Sequence, residues 1–135
     1  MRVTILNTAA ALPPEDLDDL VVRGVDHAAQ RHRLTGPLLL FAVDDRVVAL
    51  AAFRLHDGDF HVTECALVRR LGGDDELAEL VIDALETVAL AAGASRLIIY
   101  TASRVLRRVI RIVGYVPRAT TERTGFERRF PRVAS

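Results

Sequence analysis

The segment from Glu64 to Pro117 constrains the fold more than any other part of the chain, because it reads as strand, helix, strand and helix in succession. An apolar strand ends in a Gly-Gly turn, and a long apolar helix then begins near Asp75 and ends at Gly93. The buried strand RLIIYT follows directly. Strand–helix–strand units of this length form right-handed crossovers between parallel strands, so we expect the two strands to be parallel.

The residues before this segment predict an antiparallel meander of three strands, over 37–43, 46–55 and 60–68. Asp44-Asp45 separates the first two strands, and Asp57-Gly58, a strong hairpin signal, separates the second from the third. The third strand alternates polar and apolar residues only in its first half and is then apolar throughout. This change is typical of a strand that enters the interior of a sheet.

Four further elements complete the predicted fold. They are a first strand over 2–6, a helix from Pro13 to about Arg33, a helix over 103–113 and a last strand over 121–130. We therefore predict an α/β (α+β) fold with a mixed, mostly antiparallel central sheet of about six strands. The element order is β-α-βββ-α-β-α-β, with helices on both faces. The length predicts one domain that spans residues 1–135.

Composition and charge narrow the classes of partner. The chain has no run of about 20 uncharged apolar residues, which predicts a cytoplasmic protein without a membrane partner. All 18 basic residues are arginines, and ten of them lie from Arg96 onward. This basic last third suits a phosphate-bearing ligand, an acidic partner or the acidic face of a second copy in a homodimer. The zero net charge and scarcity of aromatic residues disfavour nucleic acid.

Neither the single cysteine nor the early histidines predict chemistry of their own. Cys65 has no disulfide partner and lies among apolar neighbours, so we expect it to pack as a small hydrophobic residue. His27 and His32 fall on the polar side of the predicted first helix without a third ligand, so we expect no metal site there.

The order of elements resembles the GNAT superfamily of acyl-CoA-dependent N-acyltransferases over nearly the whole chain. The local matches are ECALV (64–68), LAELVIDALETVALAAGASRLIIYTAS (77–103), VLRRVIRIVGYVPRAT (105–120) and GFERRF (125–130). The resemblance implies transfer of an acetyl group from acetyl-CoA to an unidentified small-molecule or protein amine. Its cofactor would be acetyl-CoA or CoA, with no metal.

The resemblance also implies where the cofactor would bind. In the family, an Arg/Gln-x-x-Gly-x-Gly/Ala turn presents backbone N–H groups to the CoA pyrophosphate at a helix N-terminus. The best placement of that turn is 70–75, and an asparagine near the pantetheine arm in many relatives corresponds to a serine. The implied cofactor-binding residues are Leu67, Arg69, Arg70, Gly72, Gly73 and Ser103.

The N-terminus of this predicted helix departs from the family pattern, since it carries Asp74, Asp75 and Glu76. Two like charges about 4 Å apart at a surface dielectric near 20 repel by about 4 kcal/mol, which would weaken phosphate binding unless Arg69 or Arg70 offsets it. The alternative interpretation is that these acids simply cap the helix.

The catalytic positions also match the family pattern only in part. Glu64, near the end of the third meander strand, matches the position where some relatives place a general base; the alternative is an ion pair with an arginine. His61 is a weaker candidate base, three residues earlier and on the opposite side of the pleat. The proton-donating tyrosine of the family falls on Ile110, so a water, Tyr100 or Tyr115 would have to replace it. We expect Tyr115 to fill a packing position instead.

Two functions therefore remain open from the sequence. The first is an acetyl-CoA-dependent N-acetyltransferase with Glu64 as its base. The second is a catalytically degenerate GNAT-like module that acts through protein contacts, as a subunit, a regulator or a dimer.

Overall fold

The computed structural model of the chain describes residues 1–6, 36–67, 75–119 and 124–131. The elements of these ranges, in chain order, are β1 (Arg2–Leu6), β2 (Leu38–Val43), β3 (Arg46–His56), β4 (Asp59–Leu67), α1 (Asp75–Ala91), β5 (Arg96–Tyr100), α2 (Arg104–Ile112), β6 (Val116–Ala119) and β7 (Thr124–Arg129). The predicted first helix, with His27 and His32, lies outside the described residues, as does the predicted Gly-Gly turn.

The strands form one mixed sheet in the order β1-β2-β3-β4-β5-β7-β6. Its one parallel pair is β4 with β5, and the other described pairs are antiparallel. This confirms the predicted fold class and the parallel crossover. The predicted hairpin turns are also confirmed, because Asp44, Asp45, Asp57 and Gly58 all have the positive φ that tight hairpin turns favour.

The sheet has one strand more than the sequence predicted. The additional strand is β6, with the sequence VPRA, whose proline lacks an N–H group and so weakens the strand signal. In the structure β6 is an edge strand that pairs with β7 alone, and Pro117 lies opposite Phe126. An edge strand can accommodate a proline, since one of its sides needs no hydrogen bonds from the sheet.

Both described helices pack on one face of the sheet, here called the helix face. Their buried residues are Leu77, Ala78, Val81, Ile82, Leu85 and Ala89 of α1 and Val105, Leu106, Val109 and Ile110 of α2. They form one core with strand residues that include Phe60, Val62, Leu97, Ile99 and Phe126. The opposite face, here called the second face, is buried too: Leu38, Leu50, Ala52, Ala66 and Ile98 have no exposed surface.

Arg96 joins the three neighbouring strands β4, β5 and β7 near the beginning of β5. Its Nε and Nη2 donate to the two carboxylate oxygens of Asp59 on β4, at 3.0 and 2.5 Å, and its Nη1 donates to Glu127 on β7 at 3.0 Å. The hydrogen bond from Arg96 lowers the pKa of the Asp59 carboxyl, and the same contacts raise the pKa of Arg96. The pair therefore stabilises the folded state in its charged form.

Asp59→Asn should reduce stability at neutral pH, and this deficit should shrink in acid. The folded-state pKa of Asp59 lies below its ordinary value of 3.8, so its contribution is complete above that pH and is lost as the pH falls through the folded-state value. Urea unfolding of wild type and variant at pH 7 and pH 3 measures the difference. Asp83→Asn, which changes an exposed carboxylate of α1, is the control for the loss of one charge. A constant difference across this pH range would contradict the prediction.

Candidate functional site

The parallel strands β4 and β5 pair over only part of their length. The pairs run from Asp59 with Arg96 to Val62 with Ile99, whereas β4 continues to Leu67. Residues 63–67 therefore extend beyond the last pair with β5, and the strands separate toward their carboxyl ends. In open sheets with parallel strands, this is the edge at which ligands commonly bind.

A β-bulge at Thr63 decides where the side chains at this edge point. Val62 pairs with Phe53 on β3 and Glu64 pairs with Ala52, so Thr63 is an additional residue in β4. Directly paired residues share a face of the sheet. Glu64 therefore lies on the second face with Ala52, although simple alternation would place it on the helix face with Val62.

The bulge corrects the predicted relation between the two candidate bases. His61 pairs with Arg54, which lies on the same side of β3 as Ala52, the partner of Glu64. Glu64 and His61 thus share the second face, and the expectation that they lie on opposite sides of the pleat was wrong. Simple alternation assumes a strand without inserted residues. The bulge residue Thr63 moves every later side chain of β4 to the opposite face of the sheet.

Side chains bridge the gap between the separated strands. Glu64 has no exposed surface, and its Oε1 accepts a hydrogen bond from the Ala102 N–H at 2.9 Å, just beyond β5. The Thr101 hydroxyl donates to the Cys65 carbonyl of β4 at 2.6 Å. Cys65 itself is buried and free, as expected, and burial raises the pKa of its thiol. The gap therefore holds a carboxylate at the point where the strands diverge.

His61 is suited to accept a proton but lies further from the gap. Burial lowers the pKa of its imidazole below the ordinary 6.5, against the opposing effect of Asp59, whose Oδ2 lies 3.9 Å from Nε2. The ring is therefore largely neutral at neutral pH. It lies beside Ile98, within the paired part of the two strands.

Ser103 begins helix α2. Its Oγ accepts a hydrogen bond from the Leu106 N–H at 3.3 Å, and its own N–H donates to Thr101 Oγ1 at 3.1 Å. Because the hydroxyl retains its own proton, it can cap the helix and still donate to a ligand. Leu67, at the end of β4, has its side chain in the core, so only its backbone could contact a cofactor.

Ser103→Ala should lower the free energy of unfolding by about 1 kcal/mol, since the variant loses the helix cap. Ser103→Asn should retain most of the stability, because asparagine caps helices as well as serine does. Chemical denaturation of the three proteins tests this. Equal losses in both variants would show that the hydroxyl does not act as a cap.

The N-terminus of α1 carries less net negative charge than the sequence suggests. Asp75, the first helical residue, forms an ion pair with Arg108 of α2. The sequence predicted that Arg69 or Arg70 would offset the acidic charge at this helix start. Both arginines lie outside the described residues, as do Gly72, Gly73 and Asp74. Their roles stay predictions. Arg108 was missed because only packing of α2 against α1 brings it there. It belongs to an arginine stripe along one face of α2, formed by Arg104, Arg107, Arg108 and Arg111.

Two further arginines of that stripe contact the protein itself. Arg107 Nε donates to the Thr101 carbonyl at 2.8 Å, and the Arg111 guanidinium lies 5.5 Å from the centre of the Phe126 ring.

Neither described helix is long and apolar enough to cross a membrane. Within the described ranges, no group of three or more His, Cys, Asp or Glu residues could hold a metal ion.

Solved structures of acetyltransferases share this architecture. Tetrahymena GCN5 matches 98% of the chain over 99% of its own length, with a TM-score of 0.67 and 11% identity. The ribosomal-protein-S18-alanine N-acetyltransferase of Escherichia coli matches 93% over 91% of its length, with a TM-score of 0.59 and 11% identity. The chain has the GNAT fold. No protein-family model and no curated protein match its sequence.

The GNAT fold also recurs within a longer protein. The N-acetylglutamate synthase of Neisseria gonorrhoeae, solved with coenzyme A and N-acetyl-glutamate, matches 98% of the chain with a TM-score of 0.62 and 13% identity. The chain spans only 36% of that synthase. At such identities the similarity establishes the fold, and the chemistry depends on the residues of this chain.

Two positions of this GNAT fold do not offer a proton at the gap. Ile110, which the family resemblance aligns with the proton-donating tyrosine, is fully buried in the core. The Tyr115 hydroxyl donates to Glu86 Oε1 at 2.7 Å, and burial, together with this carboxylate, raises the pKa of the phenol. Tyr115 therefore packs, as predicted. Tyr100, the last residue of β5, remains as the candidate tyrosine nearest the gap.

Proposed function

We propose that the protein is an N-acetyltransferase that transfers an acetyl group from acetyl-CoA to an amine. The observation that carries this proposal is the Glu64 carboxylate, buried on the second face where β4 and β5 separate. Charged side chains are rarely fully buried even when they are hydrogen-bonded, so a glutamate at this place favours a role beyond packing. The GNAT fold supports the same chemistry.

The described residues fit a CoA-type cofactor in two respects. The gap between the strands is the edge at which an extended pantetheine arm could lie along β4, with Leu67 contributing backbone groups and Ser103 its hydroxyl. A helix N-terminus presents backbone N–H groups to an anion, and Arg108 offsets the charge of Asp75 at the N-terminus of α1. We assign the pyrophosphate to Arg69, Arg70, Gly72 and Gly73. Bound acetyl-CoA would supply an activated thioester carbonyl.

Glu64 would take the proton that the attacking amine loses, directly or through a water. The Ala102 N–H donates a hydrogen bond to one oxygen of this carboxylate. The same N–H fixes the orientation of the carboxylate at the gap. Ile110 cannot return a proton to the departing sulfur, so this proton would come from water or from the Tyr100 hydroxyl.

Titration calorimetry with acetyl-CoA, followed by an assay for released CoA thiol with a panel of amines, tests the proposal. We expect saturable binding in the micromolar range and amine-dependent thiol release. No heat at millimolar acetyl-CoA would rule out the acetyltransferase function. Binding without thiol release from any amine would favour the second candidate function.

That second function is a non-catalytic GNAT-like module that acts through protein contacts. Ile110 favours it, because the family proton donor is missing, and so do Leu80 and Leu90, whose side chains are exposed on α1 at 49% and 56%. It predicts a homodimer or a partner protein on that helix. A monomer by light scattering that also binds CoA tightly would contradict it.

A further inference from the structure

One peptide group lies between Glu64 and an arginine of α2. The N–H of the peptide that joins Thr101 to Ala102 donates to Glu64 Oε1 at 2.9 Å. The carbonyl of the same peptide, on Thr101, accepts a hydrogen bond from Arg107 Nε at 2.8 Å. A trans peptide is planar, and its N–H and C=O groups point in opposite directions. The guanidinium and the carboxylate therefore lie at the two ends of one rigid group.

The dipole of this peptide interacts favourably with both charges. A peptide unit has its positive end at the N–H and its negative end at the carbonyl oxygen. Arg107 lies at the negative end, and the carboxylate of Glu64 lies at the positive end. Because successive hydrogen bonds polarise one another, a cation on the carbonyl oxygen strengthens the N–H as a donor. The contact of Arg107 with the peptide therefore stabilises the ionised form of Glu64.

The side chain of Thr101 holds this peptide in place. Its hydroxyl donates to the Cys65 carbonyl of β4 at 2.6 Å and accepts from the Ser103 N–H at 3.1 Å. Thr101 is buried, whereas Arg107 lies on the exposed side of α2. The bonds of the hydroxyl do not involve Arg107, so replacing the arginine side chain should leave the peptide where it is.

Other ionisable groups lie near Glu64 on the described elements. Cys65, the next residue of β4, is fully buried, and its thiol has a raised pKa, in part because of the Glu64 charge. Tyr100 is the last residue of β5, and the partner of Glu64 on β3 is the uncharged Ala52. His61 lies three residues earlier on β4, and burial lowers the pKa of its imidazole. Because His61 can titrate in the same pH range, a test must report on Glu64 itself.

We propose that Arg107 is a positioning residue for the base: through the Thr101–Ala102 peptide, it keeps Glu64 ionised and oriented at the gap. The effect on turnover rests on the proposed acetyltransferase function, whereas the electrostatic effect on Glu64 needs no cofactor. A general base must be ionised to accept the proton of the amine. Arg107 therefore extends acetyl transfer to lower pH.

The kinetic test measures kcat/KM against pH for wild type, Arg107→Gln and Arg107→Lys. Glutamine keeps an N–H donor at the distance of Arg Nε along the side chain and loses the charge, whereas lysine keeps the charge. The control is Arg104→Gln, which removes a charge from another exposed position of α2.

The acid limb of the profile should move to higher pH in Arg107→Gln, and the plateau at higher pH should change little. On that limb kcat/KM should fall by about 3- to 10-fold, the effect of a charge about 7 Å away at a dielectric of about 40 to 80. Arg107→Lys and Arg104→Gln should follow wild type. A limb that stays in place in Arg107→Gln, or that moves as far in Arg104→Gln, would overturn the proposal.

A second measurement depends on neither cofactor nor turnover. The Ala102 amide proton donates to the carboxylate, so its NMR chemical shift should follow the ionisation of Glu64 and should lose this dependence in Glu64→Gln. The midpoint should be higher in Arg107→Gln than in wild type, Arg107→Lys and Arg104→Gln. If acetyl-CoA fails to bind, the proposed function fails, yet this comparison still decides the role of Arg107. Equal midpoints in wild type and Arg107→Gln would show that the arginine only satisfies a backbone carbonyl, and would refute the inference.

Discussion

Glu64→Gln should lower kcat for acetyl transfer by about 10²- to 10⁴-fold, the usual contribution of a general base. Glutamine keeps the size of the side chain and an oxygen that can accept from the Ala102 N–H, so the gap should keep its geometry. It cannot take the proton of the amine. Affinity for CoA, measured by calorimetry, should therefore change little while turnover is lost.

The control for this experiment is Glu79→Gln, which removes an exposed carboxylate from α1. Its rate should match wild type. If Glu64→Gln retained full activity across the pH range, the base would be another group, and His61 on the same face would be the next candidate. A Glu64→Gln protein that had lost CoA binding as well would instead indicate a structural role for the carboxylate.

Gly125→Ala should lower the free energy of unfolding by about 1–3 kcal/mol, the cost of overpacking a filled space. A methyl group at residue 125 would lie 2.6 Å from Cε1 of Tyr100 and 2.8 Å from Cζ, closer than carbon atoms approach. The Tyr100 ring would therefore have to move. Chemical denaturation measures the loss.

A double-mutant cycle with Tyr100→Ala separates this clash from other effects. Tyr100→Ala removes the three atoms nearest to the added methyl group, so Gly125→Ala should cost little in this background. An equal cost in both backgrounds would mean that the glycine is needed for its backbone and not for the ring above it.

The local signals of the sequence predicted most of the fold correctly. Turn residues located both hairpins of the meander, and Gly93 located the end of α1, because a tight turn or a helix end depends on the few residues that form it. The parallel pairing of β4 and β5 followed from the length of the crossover between them. The edge strand β6 was missed because a proline is tolerated only at an edge, and the position of a strand within a sheet is not a local property.

The candidate site was predictable only in part. Glu64 and Ser103 could be named from their order in the chain, and the structure brings both to the region where β4 and β5 separate. Their contacts could not be predicted. The bulge at Thr63 places Glu64 on the face of His61, and helix packing supplies Arg108 to Asp75.

By itself, the sequence determined the order, type and approximate limits of the described elements from β2 to α2, and it named Glu64 as a candidate base. The tertiary structure alone decided which charges are compensated. Asp75 obtains Arg108 across 33 residues, whereas Arg118, opposite a glycine, keeps a shielded nitrogen without a partner in the described part of the chain. The reason is physical: helix and turn signals act within a few residues, but electrostatic compensation depends on distances through space that exist only once the sheet and helices have packed.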